Sequence, residues 1–380
     1  MTARRTTATG SPLRDEAQWL AVNAGDHHAI YAAPAVLHGA RGPGERGGMT
    51  IKPVRAGLSR SILRGMKIAA AQIAPVFMDR HATLAKIVAT IERAAAQGVR
   101  LLAFGETVLP GYPIWLSRTH GAAFDDPRQK ALHAIYLDQA IELPGPELAA
   151  LQEAARRHTM TLIVGVAERG VAAGRGTLWA TALWVHPGGA WLAHRKLVPT
   201  HEERLAWGPG DGHGLRVQAV DGWRVSALNC WENWMPAARF ALYAQGSELH
   251  VSLWPGSPEL TRDISRFTAR EGRVWVLAAS AVLRADDIPA GYPARDELLA
   301  SAQDGMFATG GSRIVGPDGV ERAALDTPEE GLVIAEVDRS VLLGERQNFD
   351  PAGHYHRTDV FALRVDRRRH APATFTDPES

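Results

Sequence analysis

From Met66 onward, hydrophobic positions fall into recognisable rhythms, and before it they fall into none. Lys67 to Ile73 reads as a strand. Residues 82–97 place Leu84, Ile87, Val88, Ile91 and Ala95 at the spacing of one helical face, and Gly98 supplies a stop. Leu101–Phe104 is a short apolar run suited to a buried strand, and residues 146–158 carry Leu148, Leu151 and Ala155 on one helical face. Strands are predicted at Thr161–Ala167, Trp179–Val185, Trp191–Leu197, Trp223–Leu228, Leu249–Trp254 and Val274–Val282. Helices fall within 236–246 and 259–272, and two further strands at Gly311–Val315 and Leu332–Val337. Turns at Pro187-Gly188-Gly189 and Pro317-Asp318-Gly319 separate strands that pair as hairpins. Alternating helices and strands argue for a layered α/β domain over 66–342 rather than a bundle or an all-β barrel. Beyond about Leu342 the pattern thins into a tail, residues 343–380.

Composition adds limits. With 46% apolar and 22% charged residues the chain can bury a large core without metal or disulfide support. No apolar run approaches the roughly 18 residues of a membrane helix, and the first residues lack a secretory apolar stretch. No membrane partner and a cytoplasmic location are therefore expected. The net charge of +1 conceals an asymmetry: residues 1–65 hold nine Lys/Arg against four Asp/Glu, so residues 66–380 carry −4. An acidic body is a poor nucleic-acid binder. The basic segment 1–65 is turn-dense and aperiodic. It is expected to be an unfolded extension, or to precede an internal translation start at Met66.

The single cysteine, Cys230, follows the strand Trp223–Leu228 and precedes a helical pattern. One cysteine excludes an intrachain disulfide, and a thiol before a helix start is expected to have its pKa lowered toward neutrality. Two other ionisable residues share that kind of address: Glu106 follows Leu101–Phe104, and Lys196 lies at the end of Trp191–Leu197. Ends of sheet strands are where α/β proteins gather reactive groups. A carboxylate to take a proton, a thiolate to attack and an ammonium to meet the resulting charge form a chemically complete set. Taken singly, Glu106 suits a helix cap, Lys196 a surface charge and Cys230 core packing.

The surrounding stretches carry more information than the three residues. Phe104-Gly105-Glu106-Thr107-Val108-Leu109-Pro110-Gly111-Tyr112-Pro113, His194-Arg195-Lys196-Leu197-Val198-Pro199-Thr200-His201-Glu202-Glu203-Arg204 and Asn229-Cys230-Trp231-Glu232-Asn233 resemble the three signature regions of the nitrilase superfamily, in order and at similar separations. The Cys-Trp-Glu variant, the segment from Trp207 to Gly212 and the run 310–319 are similar to the nitrilase branch. The resemblance spans about residues 66–365. It implies a four-layer αββα sandwich, a triad of Glu106, Lys196 and Cys230, and a second glutamate, Glu203, that orients Lys196. It implies hydrolysis of an organic nitrile to a carboxylic acid and ammonia through a cysteine thioimidate and thioester. That chemistry has no redox, phosphate or metal step, so no cofactor is expected. A homo-oligomer, dimer or larger, is expected, with the tail as an oligomer arm ending in a disordered stretch. Two other readings stay open: an amide hydrolase or cyanide-converting enzyme with the same triad, and a catalytically silent binding protein.

Other motifs point elsewhere only weakly. His201-Glu202-Glu203-Arg204 lacks the second histidine of a zinc helix, and His354-x-His356 has no nearby carboxylate or cysteine, so no metal site is expected. Gly208 to Gly214 lacks the spacing of a phosphate cradle. Among the eleven tryptophans, Trp115, Trp231 and Trp254 are expected, with Tyr112, to wall a substrate pocket. Removal of residues 1–65 is expected to leave activity and melting temperature nearly unchanged. A large loss of thermal stability on truncation to Met66 would show that the segment packs on the body.

Overall fold

The computed structural model describes residues 65–171, 174–371 and 373. Apart from Gly65, the segment expected to be an unfolded extension lies outside the described residues.

Two sheets form the centre. The first contains β1 (Met66–Gln72), β2 (Leu101–Phe104), β3 (Ile141–Glu142), β4 (Thr161–Arg169), β5 (Leu178–Val185), β6 (Trp191–Arg195) and β15 (Gly331–Val337), ordered β15-β1-β2-β4-β5-β6 with β3 beside β4. The second contains β7 (Gln218–Val220), β8 (Trp223–Asn229), β9 (Leu249–Trp254), β10 (Trp275–Ser280), β13 (Ser312–Val315) and β14 (Glu321–Leu325), ordered β14-β13-β10-β9-β8-β7. Strands β1, β2 and β4 are parallel, as are β8, β9 and β10. Strand β6 follows two antiparallel pairings from β4 and so runs in β4's direction. A small ribbon pairs β11 (Val282–Arg284) with β12 (Met306–Thr309).

Strand periodicity builds the layers. Along β1, Ile68 and Ala70 pack into the core between the sheets, while Ala69 and Ala71 pack with the helices outside. The inter-sheet core also takes Trp184, Trp223, Val251, Leu253 and Leu277. Helices α1 (Arg80–Ala96) and α4 (Pro146–His158) cover the outer face of the first sheet through Ile87, Ile91, Leu148 and Leu151. Between them in sequence lie α2 (Trp115–Arg118) and α3 (Pro127–Gln139). Helix α5 (Pro236–Tyr243) covers the second sheet with Ala238 and Leu242 against Leu228, and α6 (Pro258–Gly272) with Ile264 against Trp254 and Ala278. The result is an αββα sandwich. Helices α7 (Arg295–Ser301) and α8 (Arg339–Glu345) complete the described helices. Among the described residues, no helix is long and apolar enough to cross a membrane.

Two local expectations need correction, and one helix was not expected. The predicted strand 274–282 is two: β10 ends at Ser280, and the chain leaves the sheet where Ala281 is pressed by Gly105 and Gly256. Helix α1 buries Thr83, Thr90 and Ala94 with Ile87 and Ile91, leaving Leu84, Val88 and Ala95 half-buried on its flank. Helix α3, not predicted, starts at an Asp126 cap followed by Pro127, and buries only Gln129, Leu132 and Tyr136, too sparse an apolar stripe to stand out. In the tail, Arg369 pairs with Asp211 at 3.1 Å and donates to the Ala193 carbonyl at 2.9 Å.

The two sheets meet closely where β2 ends. Gly105 has no room for a side chain, since a Cβ would lie 2.7 Å from Ala281 N and 2.8 Å from the Trp254 oxygen. On the other flank, a Cβ on Gly165 of β4 would overlap the Gly105 carbonyl. Gly165→Ala is therefore expected to cost about 1–3 kcal/mol through overpacking. Urea denaturation checks this, and a loss under about 0.5 kcal/mol would show that the 105–107 segment yields.

Candidate active site

Three strand ends deliver the reactive side chains. Glu106 stands two residues past β2, Lys196 one past β6 and Cys230 one past β8. Strands β2 and β6 run the same way in the first sheet, and their ends meet the end of β8 from the second. The Glu106 N–H donates to the Trp254 carbonyl at 3.0 Å, tying the first sheet to the second at this point. Thr107 and Cys230 have φ of 44° and 47°, a left-handed backbone that costs an L-residue of order 1–3 kcal/mol.

These three side chains and Glu203 come together, none more than 2% exposed. Lys196 Nζ lies 2.9 Å from Glu106 Oε1 and 2.7 Å from Glu203 Oε2. The Glu106 contact is an ion pair without hydrogen-bond alignment, and neither Glu106 oxygen has a hydrogen-bond partner among the described residues. Glu203 is fully engaged by comparison. It accepts from Lys196, from Tyr112 Oη at 2.8 Å and from the Thr200 N–H at 2.6 Å. Carboxylate oxygens of both glutamates and the Cys230 sulfur lie within 4.8 Å of one another. Such a set resembles metal ligands, but the Lys196 ammonium already occupies the cation position between the carboxylates.

One ammonium cannot neutralise two carboxylates and a thiolate out of water. Glu203, with three donors, holds the partnered position. Burial pushes Glu106 up to about 8, against the pull of Lys196 and with help from Glu203 and Glu232. Burial would lower the Lys196 pKa, but the charges of Cys230, Glu106 and Glu203 outweigh it and hold the ammonium above its usual value. The thiol corrects an expectation. Burial pushes Cys230 well up, Lys196 and the Trp231 N–H only partly offset this, and the glutamates add to it. The helical start expected to lower its pKa is a five-residue 3-10 turn, Cys230–Trp234, too short to outweigh desolvation.

A second set of buried groups holds the cysteine turn, and sequence reasoning had passed over it. Glu232 accepts from the Leu197 N–H at 2.6 Å and the Asn229 N–H at 2.8 Å, and pairs with His194 at 3.1 Å. It thereby links the lysine strand to the cysteine loop. Burial opposes the Glu232 charge, but His194 and those two N–H groups hold its pKa below the ordinary carboxylate value. Asn233 donates to the Cys230 carbonyl at 2.8 Å, and its own oxygen takes His250 at 2.7 Å. Burial pushes His250 down to about 3, so its imidazole is neutral. The signal lies in the Cys230-Trp231-Glu232-Asn233 run, where an acid and an amide closely follow the cysteine.

Glu106 opens on a cavity of about 270 Å³. Tyr112 lines it, together with Pro75, Val108, Ile114, Leu260 and Phe307. The three tryptophans expected as walls lie elsewhere. Trp115 is core, edge-on to Tyr136 at 5.1 Å between centroids. Trp254 faces the helix layer and is closed off by Cys230, Ile264 and Ala278. The left-handed turn at Cys230 leaves Trp231 on the surface, tilted against Trp234; its backbone N–H, not its ring, serves the sulfur.

The carbon-nitrogen hydrolase family profile matches residues 67–344. A bromoxynil-specific nitrilase from Klebsiella pneumoniae subsp. ozaenae is 38% identical over 315 residues, 80% of this chain and 86% of that one. An aliphatic nitrilase from Rhodococcus rhodochrous is 34% identical over 82% of each chain. The chain belongs to the carbon-nitrogen hydrolase family, in its nitrilase branch. Solved structures agree on the fold of this carbon-nitrogen hydrolase. An amidase double mutant from Nesterenkonia sp. AN1 in complex with acrylamide superposes with a TM-score of 0.55 at 20% identity, covering 77% of this chain and 97% of that one. A carbon-nitrogen hydrolase from Helicobacter pylori G27 gives 0.60 at 18% identity, covering 78% and 97%.

The shared burial of Glu106 and Cys230 makes a prediction about reactivity. The pair loses its first proton near the Glu106 value of about 8, so thiolate is scarce below it. Alkylation of Cys230 by iodoacetamide is expected to rise about tenfold per pH unit up to that midpoint and then flatten. In Glu106→Gln the midpoint is expected to move higher, because the thiol then titrates alone and burial outweighs the pull of Lys196 and the Trp231 N–H. A wild-type midpoint at or below pH 6.5 would contradict this electrostatic account.

Proposed function

We propose that this enzyme hydrolyses an organic nitrile to the carboxylic acid and ammonia, with Cys230 as nucleophile. The observation that carries the reading is the buried cluster of one thiol, one ammonium and two carboxylates, opening on an apolar cavity. A nitrile carbon is weakly electrophilic, and attack on it places charge on nitrogen. Glu106 takes the Cys230 proton as sulfur bonds to carbon, and returns it to nitrogen, giving a thioimidate. The Lys196 ammonium and the Trp231 N–H face the developing charge. Water activated by Glu106 adds to the thioimidate carbon and gives a tetrahedral adduct. Glu106 then protonates the leaving nitrogen, ammonia departs, and a second water cleaves the thioester to the acid and the free thiol. Glu203, anchored by Tyr112 and the Thr200 N–H, keeps Lys196 in place.

The same reading carries a cytoplasmic location and self-association through the tail 343–380. The exposed apolar side chains of Tyr355, Val360, Phe361 and Leu363 support the second point.

The adduct has two exits, and their balance tests the assignment. Expelling ammonia leads to acid, whereas expelling sulfur gives the amide. A change of about 1.4 kcal/mol between the two barriers shifts the ratio tenfold. Acid is expected as the main product. Glu203→Gln, which loosens Lys196, is expected to slow turnover and raise the amide fraction. Chromatography of products from a panel of aliphatic, aryl and arylacetonitriles checks this. Amide as sole product would mean a hydratase, and rapid amide cleavage without nitrile consumption would mean an amidase.

A further inference from the structure

The cavity that meets Glu106 is mostly apolar, yet one cation lines it. Arg118, at the end of α2, is half-buried and belongs to the cavity wall. Its Nη1 donates to the Ser301 carbonyl at 2.7 Å and to the Ser301 hydroxyl at 3.2 Å, and its guanidinium carbon lies 4.9 Å from the Phe307 ring centroid. These contacts fix the plane of the group from one side. Nε and Nη2 have no hydrogen-bond acceptor among the described residues, although other arginines of the domain pair bidentately, as Arg239 does with Glu271. Glu202 is the one carboxylate besides Glu106 on this wall. It is close enough to Arg118 to interact through space, but its hydrogen bond goes to His201 at 2.7 Å. Arg118 is thus a held guanidinium with two unused donors beside the space a substrate must fill.

We propose that Arg118 is a specificity residue that receives an oxyanion on the substrate, so that the enzyme favours nitriles bearing a carboxylate or comparable anionic group. The inference rests on the nitrile-hydrolysing reading above. A planar guanidinium offers parallel donors to a carboxylate, and such charge-assisted bonds are the strong ones, the more so where apolar walls exclude water. The small cavity puts any polar group of a bound nitrile within reach of few partners. Glu202, by its charge, weakens the preference and marks the side from which an anion is repelled.

The test compares ω-cyanoalkanoates of increasing chain length with the methyl ketones of the same shape, in which a methyl replaces one carboxylate oxygen. The readout is the ratio of kcat/KM for each pair, followed by ammonia release. For at least one chain length the native enzyme is expected to favour the anion by about tenfold or more, the range of a hydrogen bond to a charged group. Arg118→Gln is expected to remove that preference and Arg118→Lys to retain part of it, while Glu202→Gln raises it. An equal loss for anion and ketone in Arg118→Gln would overturn the proposal in favour of a purely structural arginine. So would a native enzyme with no anionic preference at any chain length. If Arg118→Gln does not fold, the native ratio and Glu202→Gln decide alone: an absent preference, or one that Glu202→Gln leaves unchanged, sinks the idea. No ammonia from either series or from the aliphatic, aryl and arylacetonitrile panel, with the native enzyme folded, would instead overturn the nitrilase reading itself.

Discussion

The ammonium of Lys196 is the charge on which the rest of the site depends. It is buried, and two carboxylates approach it from different elements at 2.9 and 2.7 Å. Without it, Glu106 and Glu203 would be like charges in a dry interior and at least one would have to protonate. With it, the two carboxylates share one cation, and the hydrogen bonds from Tyr112 and the Thr200 N–H go to Glu203. Glu106 is left as the group whose charge is not fully matched. A carboxyl poised near neutrality by burial can both accept and donate a proton, which a carboxylate with an ordinary pKa does poorly.

Geometry of this kind requires that separate strands be held to each other as firmly as to their own sheets. The sandwich does so at two points. Where β2 ends, Gly105 and Gly165 let the backbone of Glu106 sit against β4 and the Trp254 carbonyl, a spacing any side chain would widen. Where β6 and β8 end, Glu232 bonds to both the Leu197 and Asn229 N–H groups. One buried carboxylate therefore sets the separation between the lysine and the cysteine. Its charge is met by His194 and backbone donors, so it leaves the lysine's charge to Glu106 and Glu203.

Much of this was legible in the sequence, for physical reasons that differ by element. Strands such as Leu249–Trp254 were read to the residue because both faces are buried, which writes a continuous apolar run bounded by polar turns. Helix α3 was missed because it lies where few side chains need burying, and only its Asp-Pro start marks it. The strand-end addresses of Glu106, Lys196 and Cys230 were legible because apolar runs stop where the sheet stops, while their reading as a triad came from the resemblance of the surrounding stretches. The aromatic walls did not follow. Whether a tryptophan faces a cavity or a core depends on which face of its strand or helix it occupies, and for Trp254 and Trp115 that is the helix or core side. The direction of the cysteine shift was also misread, because position before a helical turn is local, whereas the burial that dominates it is a property of four elements closing together.

The left-handed backbone at Cys230 connects stability with chemistry. A β-strand that continued straight would bury the thiol along the sheet, out of reach of Glu106. Turning the chain at that residue costs of order 1–3 kcal/mol, which neighbouring contacts must offset. They are identifiable: Asn233 holds the Cys230 carbonyl, neutral His250 and Arg239 hold Asn233, and Glu232 holds the N–H of Asn229 just before the turn. The bonds fix the turn from both sides of the cysteine, while among the described residues its sulfur takes the Trp231 N–H. The turn also throws Trp231 outward, so the residue whose N–H faces the sulfur presents no side chain to the cavity. The pocket can therefore vary through α2, Leu260 and Phe307 without disturbing the nucleophile, which separates the choice of substrate from the machinery that cleaves it.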